Sequence, residues 1–503
     1  MKNKKKLFLI FTVIICIFLL PTIQKQINKI KVEDKLIDTN IIKNAPPAVA
    51  FTTVALGGFR GLIADVLWFR TISLQNQGKY IEMAQIASWI SKLQPRFTGA
   101  TAFLAWNMAY NISITYTKPE NKWRWVENGI KLLKDSIKYN PGSPVLYKEL
   151  AWIYIYKIGG TLDSANLYYK TQVALQIEKI SNGKNLDINS LYKISQNIKH
   201  APNIISGIQT KMKKLNSSNY NSLNNFFNYY RKYHKVPKEI SKVLTQKEIK
   251  TAVGYFKIQM LKNDFMMDIK SMHKVYEDFG NIDWRLYQTH ALYWIIKALK
   301  LEPKNNEYKS IINIIFKSCI SDGKLLLLDK SNYKNFTTYP NLKLISPIKN
   351  YLYNQYNEDE TSDNKKIYLN YLETCITLLY KHENLNKAKN YLLTATKLNQ
   401  YKNKYITIQQ YMNYYWESYL SPLNKTETLK LVDRQIFLGY LLYALGEKKA
   451  SNIQFKLANF IYMYYKNKHQ TVILPEFKNE LKKMLIRTKE KLPDELAEKL
   501  TNN

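Results

Sequence analysis

Cysteine is almost missing from this chain: Cys16, Cys319 and Cys375 are the only three in 503 residues. They lie far apart, so neither a disulfide framework nor a zinc knuckle follows from their spacing. Histidine is nearly as sparse at six, and none of the six sits in H-E-x-x-H or beside a cysteine at ligand spacing. Glycine (16) and proline (15) are scarce for this length, which argues against a sheet protein rich in tight hairpins and for helices joined by short turns. Neither G-x-x-x-x-G-K-S/T nor G-x-S-x-G occurs, and Gly57-Gly58-x-x-Gly61 matches a dinucleotide loop only in part. With FRGLIADVLWFR after it, that glycine group reads as a closely packed helix entry. No catalytic residue, cofactor or metal ligand is assigned from these patterns.

Acidic residues are the other shortage, 39 against 75 Lys and Arg, for a formal charge of +36. Such a balance raises nucleic acid or an anionic membrane as partners. The cations, however, are overwhelmingly Lys, spread along the chain with Asn and Ile, whereas phosphate and base recognition favour clustered Arg. A solvated lysine surface is therefore the preferred reading, and nucleic acid is not an expected partner. What is abundant is apolar: 46% hydrophobic and 13% aromatic residues are enough to bury a core over most of the length.

Leu7 to Leu20 (LFLIFTVIICIFLL) carries no charge, and Pro21, Thr22 and Ile23 extend the stretch to about 17 residues, the lower limit for a membrane-spanning helix. Lys2, Lys4, Lys5 and Lys6 precede it, which keeps the N-terminus cytoplasmic and sends the rest across the membrane. No A-x-A-like cleavage site follows, so the segment is expected to stay as a signal anchor. The polar tract after it, ending in Ala45-Pro46-Pro47, reads as a stalk.

Beyond the stalk one helix pattern recurs: a small residue, a large apolar residue four on, a small one three further and Pro five beyond. Ala291, Ile295, Ala298 and Pro303 fit it, as do Gly129, Leu133, Ser136 and Pro141. Met83, Ala87, Ile90 and Pro95 keep the spacing with large and small partly exchanged, and Gly78 stands where the turn between paired helices belongs. Further units are read at Ala388, Leu392 and Ala395, after the turn His382-Glu383-Asn384, and at Gly439, Ser451, Phe455 and Ala458 about the turn at Gly446. A sixth has its turn at Gly159-Gly160 and its small residue at Ala165. On these residues the chain resembles the tetratricopeptide-repeat superfamily over half to two-thirds of its length. More closely, LGGFRGLIADVLWFR, AWNMAYN, WRWVENGI, ELAWIYIYKIGG and DWRLYQTHALYW look like an uncharacterised bacterial group of membrane-anchored repeat proteins, which would carry Pro where Tyr287 stands. The resemblance implies an all-α fold, an α-solenoid of degenerate helix pairs behind an N-terminal transmembrane helix, and no known activity.

The expected organisation is a cytoplasmic tail (1–6), a membrane helix (7–23), a stalk (24–50), an N-terminal array (51–179), a helical insertion (180–250), a continuation of the array (251–334), a linker (335–365) and a C-terminal array (366–503). An insertion loop is expected about Asn216 to Asn225. The linker is read from Pro340, Pro347 and the acidic NEDETSD.

Trp, Gly and Arg concentrate between Gly57 and Gly160. There Asn107 and Asn111, one helical turn apart with Trp106 and Tyr110, place two amides and two aromatics on a first-type helix. First-type helices line the concave groove in the fold it resembles, which implies a partner-binding groove of Arg70, Asn107, Tyr110, Asn111 and Lys148; the alternative is that these amides bond neighbouring helices. Trp123, Arg124 and Trp125 form a candidate cation–π cluster. The expected function is a scaffold for proteins or peptides, held in the bacterial cytoplasmic membrane by one helix with its bulk outside; a small-molecule substrate is not expected. The competing reading is an accessory subunit or hydrolase acting on cell-envelope polymers, recognisable by paired carboxylates in a deep pocket. Glu417-Ser418 suits a lytic transglycosylase, but no glycine-rich GLMQ-like element follows it.

Overall fold

The computed structural model describes Gln26 and residues 59–94, 97–215, 220–399 and 407–501. The expected tail, membrane helix Leu7–Ile23 and stalk lie outside the described residues, as do Gly57, Gly58 and Pro95. Among the described residues no helix is long and apolar enough to cross a membrane.

Within that range the chain is all-α, about 77% helical with 22 α-helices, and it divides into two compact units. The first takes in residues to Glu277, then Ile282–Ile315 and Leu328–Phe336. Its helices are α1 (Phe59–Asn76), α2 (Tyr80–Leu93), α3 (Thr98–Asn107), α4 (Pro119–Tyr139), α5 (Pro144–Trp152), α6 (Asn166–Ser181), α7 (Ile188–His200), α8 (Asn203–Met212), α9 (Leu223–Tyr233), α10 (Ile240–Val243), α11 (Gln246–Phe265), α12 (Ile269–Phe279), α13 (Tyr287–Leu301) and α14 (Asn306–Ser321), the last residues of α12 and α14 falling in the second unit. The second unit holds β1 (Lys324–Leu327), β2 (Thr337–Tyr339), α15 (Ile345–Glu358), α16 (Ser362–Lys381), α17 (Leu385–Asn399), α18 (Ile408–Leu420), α19 (Lys425–Ala444), α20 (Lys448–Lys468), α21 (Phe477–Lys491) and α22 (Asp494–Ala497).

Three helix pairs, α1 with α2, α16 with α17 and α19 with α20, turn in the same way. Gly78 and Gly446 take φ of +71° and +83°, and Glu383 takes the left-handed region at 59°. Each turn closes with an amide reaching back five residues to an orphan carbonyl: Lys79 to Leu74 (2.9 Å), Asn384 to Leu379 (2.8 Å) and Glu447 to Leu442 (2.9 Å). This bond satisfies the end of the first helix while reversing the chain. Small residues sit where helices cross. Ala87, Ala291, Ala298, Ala388 and Ala458 are fully buried, and a Cβ built on Gly129 of α4 would lie 2.7 Å from the Ala105 carbonyl of α3. Helix starts are set locally, by Pro119 and Pro144 in the first turns of α4 and α5 and by capping boxes at Thr245, Thr407 and Asn424.

Pairing is not sequential throughout. α13, which carries Ala291, Ile295 and Ala298, packs on α5 far upstream, with the segment from α7 to α12 intervening in sequence. The expected insertion loop is helical from Leu223, where the Ser222 hydroxyl accepts from the Asn225 amide (3.1 Å). The expected linker at 335–365 is not one: it supplies β2 and α15, and Leu344, Ile345, Ile348 and Leu352 are buried. Pro347 falls in the first turn of α15, where a missing N–H costs nothing, so its presence there marks a helix start. The antiparallel hairpin pairs Lys324 with Tyr339 and Leu325 with Thr338, and a bulge brings Leu327 opposite Thr337. Its Leu327 joins a cluster with Leu441, Ala444, Leu492 and Leu500.

Candidate functional site

Asn107 ends α3 and is fully buried; its amide Nδ2 donates to Gln75 Oε1 (2.5 Å) while Gln75 Nε2 donates to Asn107 Oδ1 (3.1 Å). This reciprocal pair ties α3 to α1 and leaves nothing for a partner. From Met108 to Ile112 the backbone is a π-helix, whose wider turn carries residues four apart off a common face, and Asn111 is exposed. Tyr110 stacks on Trp106 at 5.5 Å and bonds the Trp152 carbonyl (3.5 Å). Lys148 is engaged by Glu149 (2.6 Å) and Glu307 (3.4 Å), and Arg70 is exposed on α1. Tyr110 and Lys148 thus share Trp152, whose ring centre lies 5.8 Å from Lys148 Nζ, while Asn107 is committed to α1. Trp123 and Trp125 do not gather about Arg124. Trp123 meets Tyr169 (6.0 Å), Trp125 meets Tyr80 and Tyr116 (6.0 and 6.3 Å), and Arg124 is exposed.

The segment DWRLYQTH is a structural knot. Arg285 grips Asp283 through Nε (2.9 Å) and NH2 (2.7 Å), Thr289 bonds the Asp283 carbonyl (2.7 Å), and His290 Nε2 lies 2.9 Å from the Trp284 carbonyl. Tyr287, where Pro is expected, packs its ring on Gly159, at which any Cβ would lie 2.3 Å from the ring. A second buried cluster was not signalled by any motif. Asp163 accepts from Lys157 (2.7 Å), Lys122 (3.2 Å) and Tyr169 (3.0 Å), and this company holds its carboxyl down at about 2 against the effect of burial.

The concave features of the first unit lie on both sides of α4. Toward α2 runs a groove of about 790 Å³ whose apolar lining includes Ile81, Tyr116, Trp125 and Leu132, and whose polar groups include Gln85, Asn121, Arg124 and Asn128. Helix α3 contributes nothing to it, and only Met108 comes from the π turn that follows; its lining comes chiefly from α2 and α4.

Toward α6, α9 and α11 lies a cavity of about 680 Å³, sharing Glu127, Asn128, Lys131 and Asp135 with the groove. Its apolar wall includes Trp123, Ile130, Tyr154, Met260 and Phe265. Five cations and three carboxylates line it, and each carboxylate is already bonded: Glu127 to Gln176 (2.8 Å), Asp135 to Lys138 (2.7 Å), and Asp264 to Arg231 through both oxygens (3.0 Å each). Among the described residues Lys131, Lys134 and Lys179 have no ion-pair partner. Lys134 is the half-buried one, its Nζ 5.5 Å from the Phe265 ring centre. Burial brings its ammonium down to about 8, against the pull of Glu127, Asp135 and Asp264. The same charge, after burial, presses His290 to about 3, and His290 Nδ1 is buried without a partner. At the rim Met266 ends α11 at φ 54°, a strained conformation for a bulky side chain.

The second unit has a smaller cavity, about 170 Å³, lined by Lys381, His382, Tyr339, Trp416, Arg434 and Gln454 among others. Tyr339 links two of its polar groups, 3.2 Å from His382 Nδ1 and 3.2 Å from Gln454 Nε2. A carboxylate pair, Asp433 with the buried Glu480, lies beside Lys483 between α19 and α21 but lines none of these three spaces. Burial and the neighbouring Glu480 raise the Asp433 carboxyl. Glu417 and Ser418 are exposed, the Ser418 hydroxyl turned onto the Tyr415 carbonyl (3.0 Å). Both described thiols, Cys319 and Cys375, are buried and free, and burial pushes Cys375 up to about 12. Comparison with protein-family models, curated proteins and solved structures finds no match to this chain.

Proposed function

We propose that this chain is a scaffold of the tetratricopeptide kind, anchored in a bacterial cytoplasmic membrane by Leu7–Ile23, which holds a protein partner outside the cytoplasm. The groove between α2 and α4 carries the proposal: Gln85, Asn121 and Asn128 stand over an apolar floor, the combination that an extended peptide with unpaired backbone groups requires. Helix pairs closed by one kind of turn, with small buried residues at their crossings, support the repeat reading. The test is a photo-crosslinking residue placed in the full-length, membrane-bound protein at Gln85 or Ser88, which line the groove alone, with fully exposed Leu162 as control. Discrete crosslinked polypeptides from the groove positions only are expected; the same pattern at Leu162 would count against a groove partner. The alternative, an accessory subunit or hydrolase acting on envelope polymers, draws on the Asp433–Glu480 pair, and it requires a hydrolytic activity that Glu480→Gln removes.

A further inference from the structure

We infer that the cavity between α4, α6, α9 and α11 binds a small amphipathic anion, its acidic group on Lys134 and its apolar body against Phe265, Met260 and Ile130. The inference stands on this cavity alone and goes beyond the partner reading, because it concerns a small ligand in the space toward α6, α9 and α11, which meets the peptide groove only along Glu127, Asn128, Lys131 and Asp135. At about 680 Å³ the space falls within the range of small-molecule sites. Its walls combine apolar and aromatic faces with a charged rim in which cations outnumber carboxylates five to three.

The charge balance selects the sign of the ligand. Cations outnumber carboxylates five to three in the lining, and each carboxylate already accepts a bond within the chain, whereas three lysines have no ion pair, so the space favours an anionic ligand. Of these, Lys131 and Lys179 are exposed and can be satisfied by water. Lys134 is held partly out of water, with a ring face beside it and no ion pair, only the longer-range pull of Glu127, Asp135 and Asp264, a state that an incoming acidic group relieves. Behind the wall His290 stays neutral and adds no competing charge.

Binding follows the charge on Lys134. The groups that face it are Glu127, Asp135 and Lys138 from its own helix, Asp264 from α11, Lys179 from α6 and His290 from α13. With its ammonium brought down to about 8, affinity is level below neutral pH and falls as pH rises beyond about 8.

The probe is 2-naphthoate, titrated calorimetrically into the full-length protein in lipid nanodiscs, with empty nanodiscs subtracted and neutral 2-naphthamide as the matched control. Naphthoate should bind on the order of tenfold tighter than the amide, because a charge-assisted bond out of water contributes about that much. Lys134→Gln should abolish the preference while leaving amide binding in place. Lys118→Gln, at an exposed lysine outside the cavity lining, should keep the preference. A further arm with 2-naphthyl phosphate tells a carboxylate site from a phosphate site. The inference is overturned if acid and amide bind equally, or if Lys134→Gln keeps the preference at wild-type stability. Wild-type preference that persists unchanged at pH 10 also overturns it. Groove crosslinking at Gln85, which lines the groove and not the cavity, reads the partner proposal separately, so either can fail alone.

Discussion

Lys134 in the first unit and Lys381 in the second are both brought down to about 8 by burial, yet they are built to different ends. Lys381 sits in a box of three rings, 4.6 Å from Tyr415, 4.9 Å from Trp416 and 5.3 Å from Tyr419, and donates to the Tyr415 hydroxyl at 2.7 Å. The chain itself supplies everything this ammonium needs, and little space is left beside it, about 170 Å³. Lys134 has one ring at 5.5 Å, no acceptor, and about 680 Å³ in front of it. A buried cation that its own fold satisfies is a clasp. One that its fold leaves unsatisfied beside a cavity is a binding group.

The comparison can be broken most severely from the second unit. Trp416 is buried and forms one wall of the Lys381 box, so Trp416→Ala should cost about 3–5 kcal/mol through the lost contacts and the cavity left behind. A thermal scan of the full chain that shows no fall in Tm would remove the clasp reading. Replacing the cation itself, Lys381→Met should destabilise by about 1–3 kcal/mol, the sum of its ring contacts and one hydrogen bond. The matching change in the first unit, Lys134→Met, removes a charge that has no ion pair and should leave stability within about 1 kcal/mol of wild type. Equal losses in chemical denaturation of the two variants would show that the lysines do the same work.

The smallest effect is in the pH dependence. A lysine that titrates near 8 when folded and near 10.4 when unfolded is bound by more protons in the unfolded chain between those values, so its contribution raises stability as pH climbs from about 8 to about 10.4. Below about 8 the unfavourable contribution is constant. Burial acts on both lysines, with Glu127, Asp135 and Asp264 pulling against it at Lys134, and both ammoniums come down to about 8. Removing either lysine should therefore flatten the rise in stability over that window to a similar extent. Denaturation midpoints at pH 8, 9 and 10 for both Met variants test this, and a rise left unchanged in either variant would show that its lysine keeps an ordinary value.

The turns at Gly78, Glu383 and Gly446 were legible because each is a local matter: a helix ends where a residue takes the left-handed region and its neighbour's amide caps the last turn. Buried Ala87, Ala291, Ala298 and Ala388 were legible from spacing alone, since helical periodicity sets which residues share a face. The proposed partner site was not. Asn107 and Asn111 are one turn apart on an α-helix, but the chain widens into a π turn between them, a choice made by packing around Trp106 and Tyr110 and not by their own propensities. The linker at 335–365 misled for a related reason, because Pro and acidic residues mark a helix start as readily as a break, and only the burial of Ile345, Ile348 and Leu352 decides which.

Helix content, the paired-helix turns and the small residues at helix crossings were determined by the sequence itself, because each depends on neighbours within a turn or two. The pairing of α5 with α13, the commitment of Asn107 to Gln75, and the cavity that joins residues from Trp123 to Met266 were decided only by the tertiary structure. Lys134 is one lysine among many in the sequence. Whether its charge is free, paired or pressed out of water depends on Tyr154, Asp264 and Phe265, and no local pattern records where those residues come to rest.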